Sequence, residues 1–285
     1  MSRPILIVLG AVLIVGGCTR SARSAGARAA SPTSVQANMR RQVLNAVDAG
    51  EGDARLRALQ QRIVASPDLL EPRLELADLY ASQGYTELAL EHLRIAEIRF
   101  TANADVVRRL VRSLRQMQLL EEAIAAIERY ERRVDRPDAS LASLRGILLD
   151  ERGEHTRAES AHRLAVQLEP AQDTYRNNLG YNLQLQRRSS EAIAEFREAL
   201  RLQPRSEVAR NNLAFALAES GGADREVLTH WTSLRGPAAA HNNLGVVLMN
   251  QGRHAEARRE FEQSLAHDRA YPAAWRNLEL LSELD

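Results

Sequence analysis

Residues 173–206 read DTYRNNLGYNLQLQRRSSEAIAEFREALRLQPRS, and this stretch decides the fold. Leu179 and Leu183 fall one helical turn apart, and Ala192, Phe196 and Ala199 repeat that spacing further on. Pro204 then stops the second helix, because proline cannot continue one. Gly180, Ala192 and Ala199 are small enough to let two helices approach, while Leu179, Leu183 and Phe196 fill the space between them. The triplet Asn177-Asn178-Leu179 returns 34 residues later as Asn211-Asn212-Leu213, and after a further 31 as Asn242-Asn243-Leu244. A fixed period in this range marks a solenoid of stacked helix pairs.

The register extends both ways. Residues 70–103 carry Leu76-Ala77, Tyr80, Gly84, Ala89 and Ala96; residues 104–138 carry Leu110, Leu114, Ala123 and Ile127. Residues 139–172 carry Gly146, Gly153, Ala158, Ala165 and Pro170; residues 207–237 carry Leu213-Ala214, Leu217 and Gly221. Residues 238–271 carry Leu244-Gly245, Gly252, Ala257, Phe261 and Leu265, and 272–285 begin one more helix with Trp275 and Leu278. In several units Gly falls mid-repeat and Pro at the end, giving a helix, a tight turn, a helix and a stop. The 31-residue step predicts a shortened second helix around Trp231. That indole either patches the resulting gap or is an exposed contact for a partner.

Leu179-Gly180 followed by Ala192, Phe196, Ala199 and Pro204 resembles the tetratricopeptide repeat. The resemblance covers about three quarters of the chain. It implies an all-α, right-handed α-solenoid of about six repeats, 70–103, 104–138, 139–172, 173–206, 207–237 and 238–271, with a capping helix over 272–285. Residues 36–69 form a helical segment that fits a degenerate repeat.

Such solenoids line a concave groove with the first helix of each repeat. Carried over, that face holds a column of Asn178, Asn212, Asn243 and Asn277, flanked by Asn177, Asn211 and Asn242. The column resembles the asparagine ladder of some tetratricopeptide superhelices, which grips the backbone of an extended peptide. An amide both donates and accepts, so it matches backbone C=O and N–H together. The same amides could instead brace neighbouring helices, and the two roles can coexist. Arg108, Arg112 and Arg115 share one helix face at steps of three and four. They either dock an acidic segment of a partner or form a solvated charged face. The tetratricopeptide clamp for a C-terminal carboxylate is not implied, because its Lys and Arg positions fall on Asn177, Tyr181 and Ala239.

Composition narrows the function. The 285 residues are 45% hydrophobic and 4% aromatic, with a formal net charge of +1. All 38 basic residues are Arg. A balanced charge argues against nucleic acid as a partner. Cys18 is the single cysteine, so no intramolecular disulfide or Cys-based zinc site can form. No GxGxxG, GxxxxGK, HExxH or GxSxG motif is present. The seven histidines make no i, i+4 pair, and most are expected at exposed helical sites. The expectation is therefore a binding protein with no catalytic residues, metal, cofactor or small-molecule substrate.

At the N-terminus, Arg3 precedes an apolar run from Ile5 to Val15, then Gly16, Gly17 and Cys18. That is the layout of a secretory signal, and the run is too short to span a bilayer, which needs about 20 apolar residues. Val15-Gly16-Gly17-Cys18 resembles a bacterial lipobox, which implies a signal peptide over 1–17 and lipidation of Cys18. Residues 18–35 then read as a flexible tether. Thr19, in place of the Asp of an inner-membrane retention signal, implies the periplasmic face of the outer membrane in a Gram-negative host. The overall plan is similar to TadD-type and pilotin-type lipoproteins of pilus and secretion systems, which implies secretin or pilus components as protein partners. It is also similar to NlpI-type adaptors for cell-wall hydrolases and proteases.

Overall fold

The structure is a computed structural model, and it describes residues 54–222 and 224–283. The expectations for 1–35 and for 36–53, the lipidation of Cys18 included, lie outside these residues. The described residues are helical throughout, with no strand among them. A single helix, α1 (Ala54–Ala65), precedes six helix pairs. These are α2 (Glu71–Ser82) with α3 (Thr86–Arg99), α4 (Ala104–Gln116) with α5 (Leu120–Glu131), and α6 (Ala139–Glu151) with α7 (His155–Leu168). Then come α8 (Asp173–Leu185) with α9 (Ser189–Leu202), α10 (Glu207–Glu219) with α11 (Asp224–Arg235), and α12 (Pro237–Asn250) with α13 (His254–His267). The lone α14 (Pro272–Ser282) closes the series. The chain forms two compact units that divide between Leu168 and Glu169.

Each pair closes on a turn that reverses the chain in a few residues. In four pairs the turn residue is a glycine with positive φ: Gly84, Gly153, Gly221 and Gly252. The N–H after the turn reaches back to the helix, as from Tyr85 to the Tyr80 carbonyl at 2.9 Å and from Arg253 to the Leu248 carbonyl at 2.9 Å. This satisfies carbonyls that a helix end would otherwise leave bare. The α4–α5 and α8–α9 turns have no glycine there. Gln118 and Arg187 take the same left-handed conformation, with φ of 61° and 62°.

Within a pair, the contact is a small residue against a ring. Gly180 on α8 faces Phe196 on α9, and Gly245 on α12 faces Phe261 on α13. A methyl group at Gly180 would lie 2.7 Å from the Phe196 ring. Both phenylalanines are fully buried, and each contributes about 1.5–3 kcal/mol through removal of its apolar surface from water. In the α6–α7 pair the ring facing Gly146 is His162, not a phenylalanine.

The shortened repeat departs from the others at its end. One residue, Gly236, separates α11 from α12, where four separate α9 from α10. Gly236 has a φ of 83°, and Pro237 starts α12 directly. Trp231 lies on α11 and is 2% exposed. It is core, so the reading of this indole as an exposed contact is corrected.

Candidate functional site

In the unit 169–283, the asparagines run between first helices. The Asn212 amide donates to Asn177 Oδ1 at 2.9 Å, and the Asn277 amide donates to Asn242 Oδ1 at 3.0 Å. Each bond ties one first helix to the next, α8 to α10 and α12 to α14. Asn212, Asn243 and Asn277 are 5%, 3% and 2% exposed. Asn177 and Asn242 are also buried, while Asn178 and Asn211 are half-buried. This corrects the expectation of an open ladder. Asn177 with Asn212, and Asn242 with Asn277, direct these amide groups to each other between first helices.

The series is interrupted at its middle step. Asn211 Oδ1 accepts the Trp231 indole N–H at 3.0 Å. Asn243, which stands where Asn212 and Asn277 stand in their repeats, makes no such bond. Its buried Oδ1 has no partner, and neither does Asn242 Nδ2.

The arginine face lies in the unit 54–168, on α4. Val106, Val107, Leu110, Val111 and Leu114 bury one side of this helix, which turns the arginines the other way. Asn103 caps the helix, its side chain accepting from the Val106 N–H at 3.1 Å. Arg108 pairs with Asp138 at 3.1 Å and lies 3.7 Å from Asp105. Arg109 pairs with Asp78 and, at 3.1 Å, with Asp105. Arg115 pairs with Glu151 and donates from Nε at 2.8 Å. Arg112 is exposed and makes no ion pair or hydrogen bond among the described residues.

Most of these contacts bridge repeats. Asp78, Asp138 and Glu151 lie 31, 30 and 36 residues from their arginines. A search for acids one repeat away from each Arg would have found them. Asp138 also caps α6, accepting from the Leu141 N–H at 2.9 Å and from the Ser140 hydroxyl at 2.6 Å. Burial opposes its ionisation, but these hydrogen bonds and the Arg108 charge outweigh burial, so its pKa lies below the usual carboxylate value.

Beside Arg112 the surface opens into a cavity of about 320 Å³ between α2, α3 and α4. Its lining includes the buried Ala77, Ala89 and Leu93, the exposed Ala81, and Arg112, Ser113 and Gln116 from α4. Pairing of Arg108 and Arg115 with carboxylates corrects the reading of all three arginines as equivalent docking groups. Only Arg112 keeps its charge unpaired.

The histidines depart from the exposed placement expected of them. His162 is 1% exposed and shares Asp150 with His155, at 3.0 Å and 2.9 Å. Among the described residues no group of three or more His, Cys, Asp or Glu is placed to hold a metal ion.

Models of the tetratricopeptide repeat match residues 108–173, 174–206 and 238–271. The chain is a tetratricopeptide-repeat protein. The tetratricopeptide protein from Parabacteroides merdae ATCC 43184 superposes with a TM-score of 0.58 at 14% identity, over 88% of this chain and 99% of that one. The APC/C hetero-tetramer Cut9-Hcn1 gives 0.59 at 16% identity, over 82% of this chain. This chain spans 46% of that protein's length. MamA from Desulfovibrio magneticus RS-1 gives 0.51 at 12% identity, over 65% of this chain and 96% of that one. These likenesses are of fold. Comparison with curated proteins gave no match. Tetratricopeptide arrays are scaffolds that bind peptides or proteins, typically without chemistry of their own.

Proposed function

We propose that this tetratricopeptide chain is a lipid-anchored scaffold, holding an extended segment of a protein partner on the first-helix face of residues 70–168. It acts at the periplasmic side of a Gram-negative outer membrane. The observation that carries the binding role is the cavity beside Arg112, formed by α2, α3 and α4. It is lined in part by the α4 side chains Arg112, Ser113 and Gln116, which make no hydrogen bond among the described residues. The anchoring role rests on the sequence, where the run from Ile5 to Val15 leads into Gly16-Gly17-Cys18. Acyl chains on Cys18 would hold the protein stably, each buried CH₂ contributing about 0.8 kcal/mol. The partner class we infer is a secretin or pilus component, by likeness of overall plan to lipoproteins of those systems.

The experiment has two arms. Membrane fractionation compares the wild type with Cys18→Ser, and the variant should become soluble in the periplasm. A photo-reactive residue replacing Gln116 should cross-link a secretin or pilus subunit in cells, and deletion of the gene should leave the secretin unassembled. Retention of Cys18→Ser on membranes would sink the anchor. Intact secretin in the deletion strain, with cell-wall hydrolases cross-linked instead, would move the partner to the other class.

A further inference from the structure

Three of the four arginines on α4 spend their charge inside the unit, and Arg112 does not. Asp78 and Asp105 on the cavity wall are held by Arg109. Arg112 is the cation on the rim that makes no ion pair of its own. The Ser113 hydroxyl and the Gln116 amide share that rim and make no hydrogen bond among the described residues. The floor beneath them is methyl groups and one leucine. A methylene stem fits such a floor, and a charged tip fits such a rim.

We infer that this cavity is a subsite for one acidic side chain, a Glu or Asp within an extended partner segment. The stem lies on Ala77 and Ala81. The carboxylate accepts from the Arg112 guanidinium, and Ser113 and Gln116 donate to it from the side. A guanidinium suits this ligand because its planar donors match both carboxylate oxygens. A nucleic-acid or polyphosphate ligand is disfavoured, because phosphate binding needs several unpaired cations along a track and the cavity offers one. A chain terminus is also disfavoured. One guanidinium without a partner lines the cavity, fewer cations than the tetratricopeptide clamp for a C-terminal carboxylate uses. The inference rests on the scaffold reading above and deepens it by naming the chemistry the partner presents.

The test uses the full chain in detergent and two labelled peptides, (Gly-Glu)₄ and (Gly-Gln)₄, in fluorescence anisotropy at low ionic strength. The acidic peptide should bind roughly tenfold tighter, the scale of one charge-assisted contact. Arg112→Gln should remove most of that preference, while Arg205→Gln, exposed in the other unit, should change it less than about twofold. Arg112→Lys should keep part of it, which separates charge from fold. A benzophenone on the acidic peptide should label residues within 77–116. No preference in the wild type, an unchanged preference in Arg112→Gln, or labelling elsewhere would overturn the subsite. If the cellular partner cross-links equally to Arg112→Gln and wild type, the scaffold stands and the acidic subsite falls. If nothing cross-links to the first-helix face in cells, the scaffold reading itself falls.

Discussion

Asn212 and Asn243 occupy the same position in consecutive repeats, and replacing each with leucine should have opposite effects. Leucine has nearly the heavy-atom shape of asparagine, so the comparison isolates the amide. At Asn212 the change removes the donor of a buried 2.9 Å bond and strands Asn177 Oδ1 on a residue only 9% exposed. A stranded buried acceptor costs about 1–3 kcal/mol. At Asn243 the Oδ1 is already buried without a partner. Leucine there removes a desolvation penalty of the same kind, so stability should hold or rise by up to about 1 kcal/mol. The two variants should therefore differ by about 1–4 kcal/mol in urea unfolding followed by far-ultraviolet circular dichroism. The double variant Asn177→Leu/Asn212→Leu should recover part of the loss, because no polar atom is then left unmatched. Equal losses at Asn212 and Asn243, or none at Asn212, would refute the reading of this column as an internal brace.

Three further outcomes are expected. Gly180→Ala should lower stability by about 1–2 kcal/mol despite alanine's better helix propensity, because the new methyl would sit 2.7 Å from the walled-in Phe196 ring; added Phe196→Leu should relieve it, and a rise in thermal midpoint for Gly180→Ala alone would contradict the packing. Gln118→Gly should raise the midpoint by the equivalent of about 0.5–1 kcal/mol, since Gln118 holds a φ of 61° that glycine adopts without strain; a loss would mean the turn is not strained. Burial, with the Arg73 charge second, lowers the pKa of His92 below its ordinary value. The unfolded chain then takes up the proton first, so this contribution to stability is complete above about pH 6.5 and is lost as pH falls below it. His92→Phe keeps a ring against Tyr80, now stacked at 5.6 Å, and should flatten the fall in thermal midpoint between about pH 7 and 5; an unchanged slope would remove His92 as its source.

Period and small-residue spacing sufficed for the helix pairs, because Gly180 against Phe196 and Gly245 against Phe261 are local contacts written sixteen residues apart in the sequence. The same spacing placed a ring opposite Gly146 without revealing that a histidine there would need Asp150, which lies on the neighbouring helix. The asparagine column was visible as a column, but its direction was not. Whether an amide faces solvent or the next helix depends on how closely two first helices approach, and that distance is set by side chains a repeat away. The arginine face failed in part for the same reason. Arg108 and Arg115 look like open charges until the two ends of the next first helix, Asp138 at its N-cap and Glu151 as its last residue, are laid beside them.

The interrupted amide series shows how a shortened step in a periodic protein can change its polar contacts while its apolar packing continues. Where four residues join a second helix to the next first helix, as from α9 to α10, an asparagine on the preceding first helix meets one on the next, as Asn177 meets Asn212. Where Gly236 alone makes that join, α11 carries a tryptophan at the place of Phe196, and its longer ring brings an N–H to Asn211 Oδ1. The acceptor is satisfied from within its own pair, and the amide that would have served it is left over in the core. Hydrophobic packing continues through this step, with Val227 and Trp231 buried as Ala192 and Phe196 are. The polar brace does not. Apolar contacts tolerate a changed helix offset because they are non-directional, whereas a hydrogen bond within about 3 Å does not. At the step from α10 to α12 the asparagine bond is replaced by one at the helix ends, where the Gln251 amide after α12 donates to the Ala218 and Glu219 carbonyls of α10, each at 3.2 Å. Gln251→Leu should therefore lower stability more than the same change at an exposed glutamine, and an unchanged urea midpoint would refute that replacement.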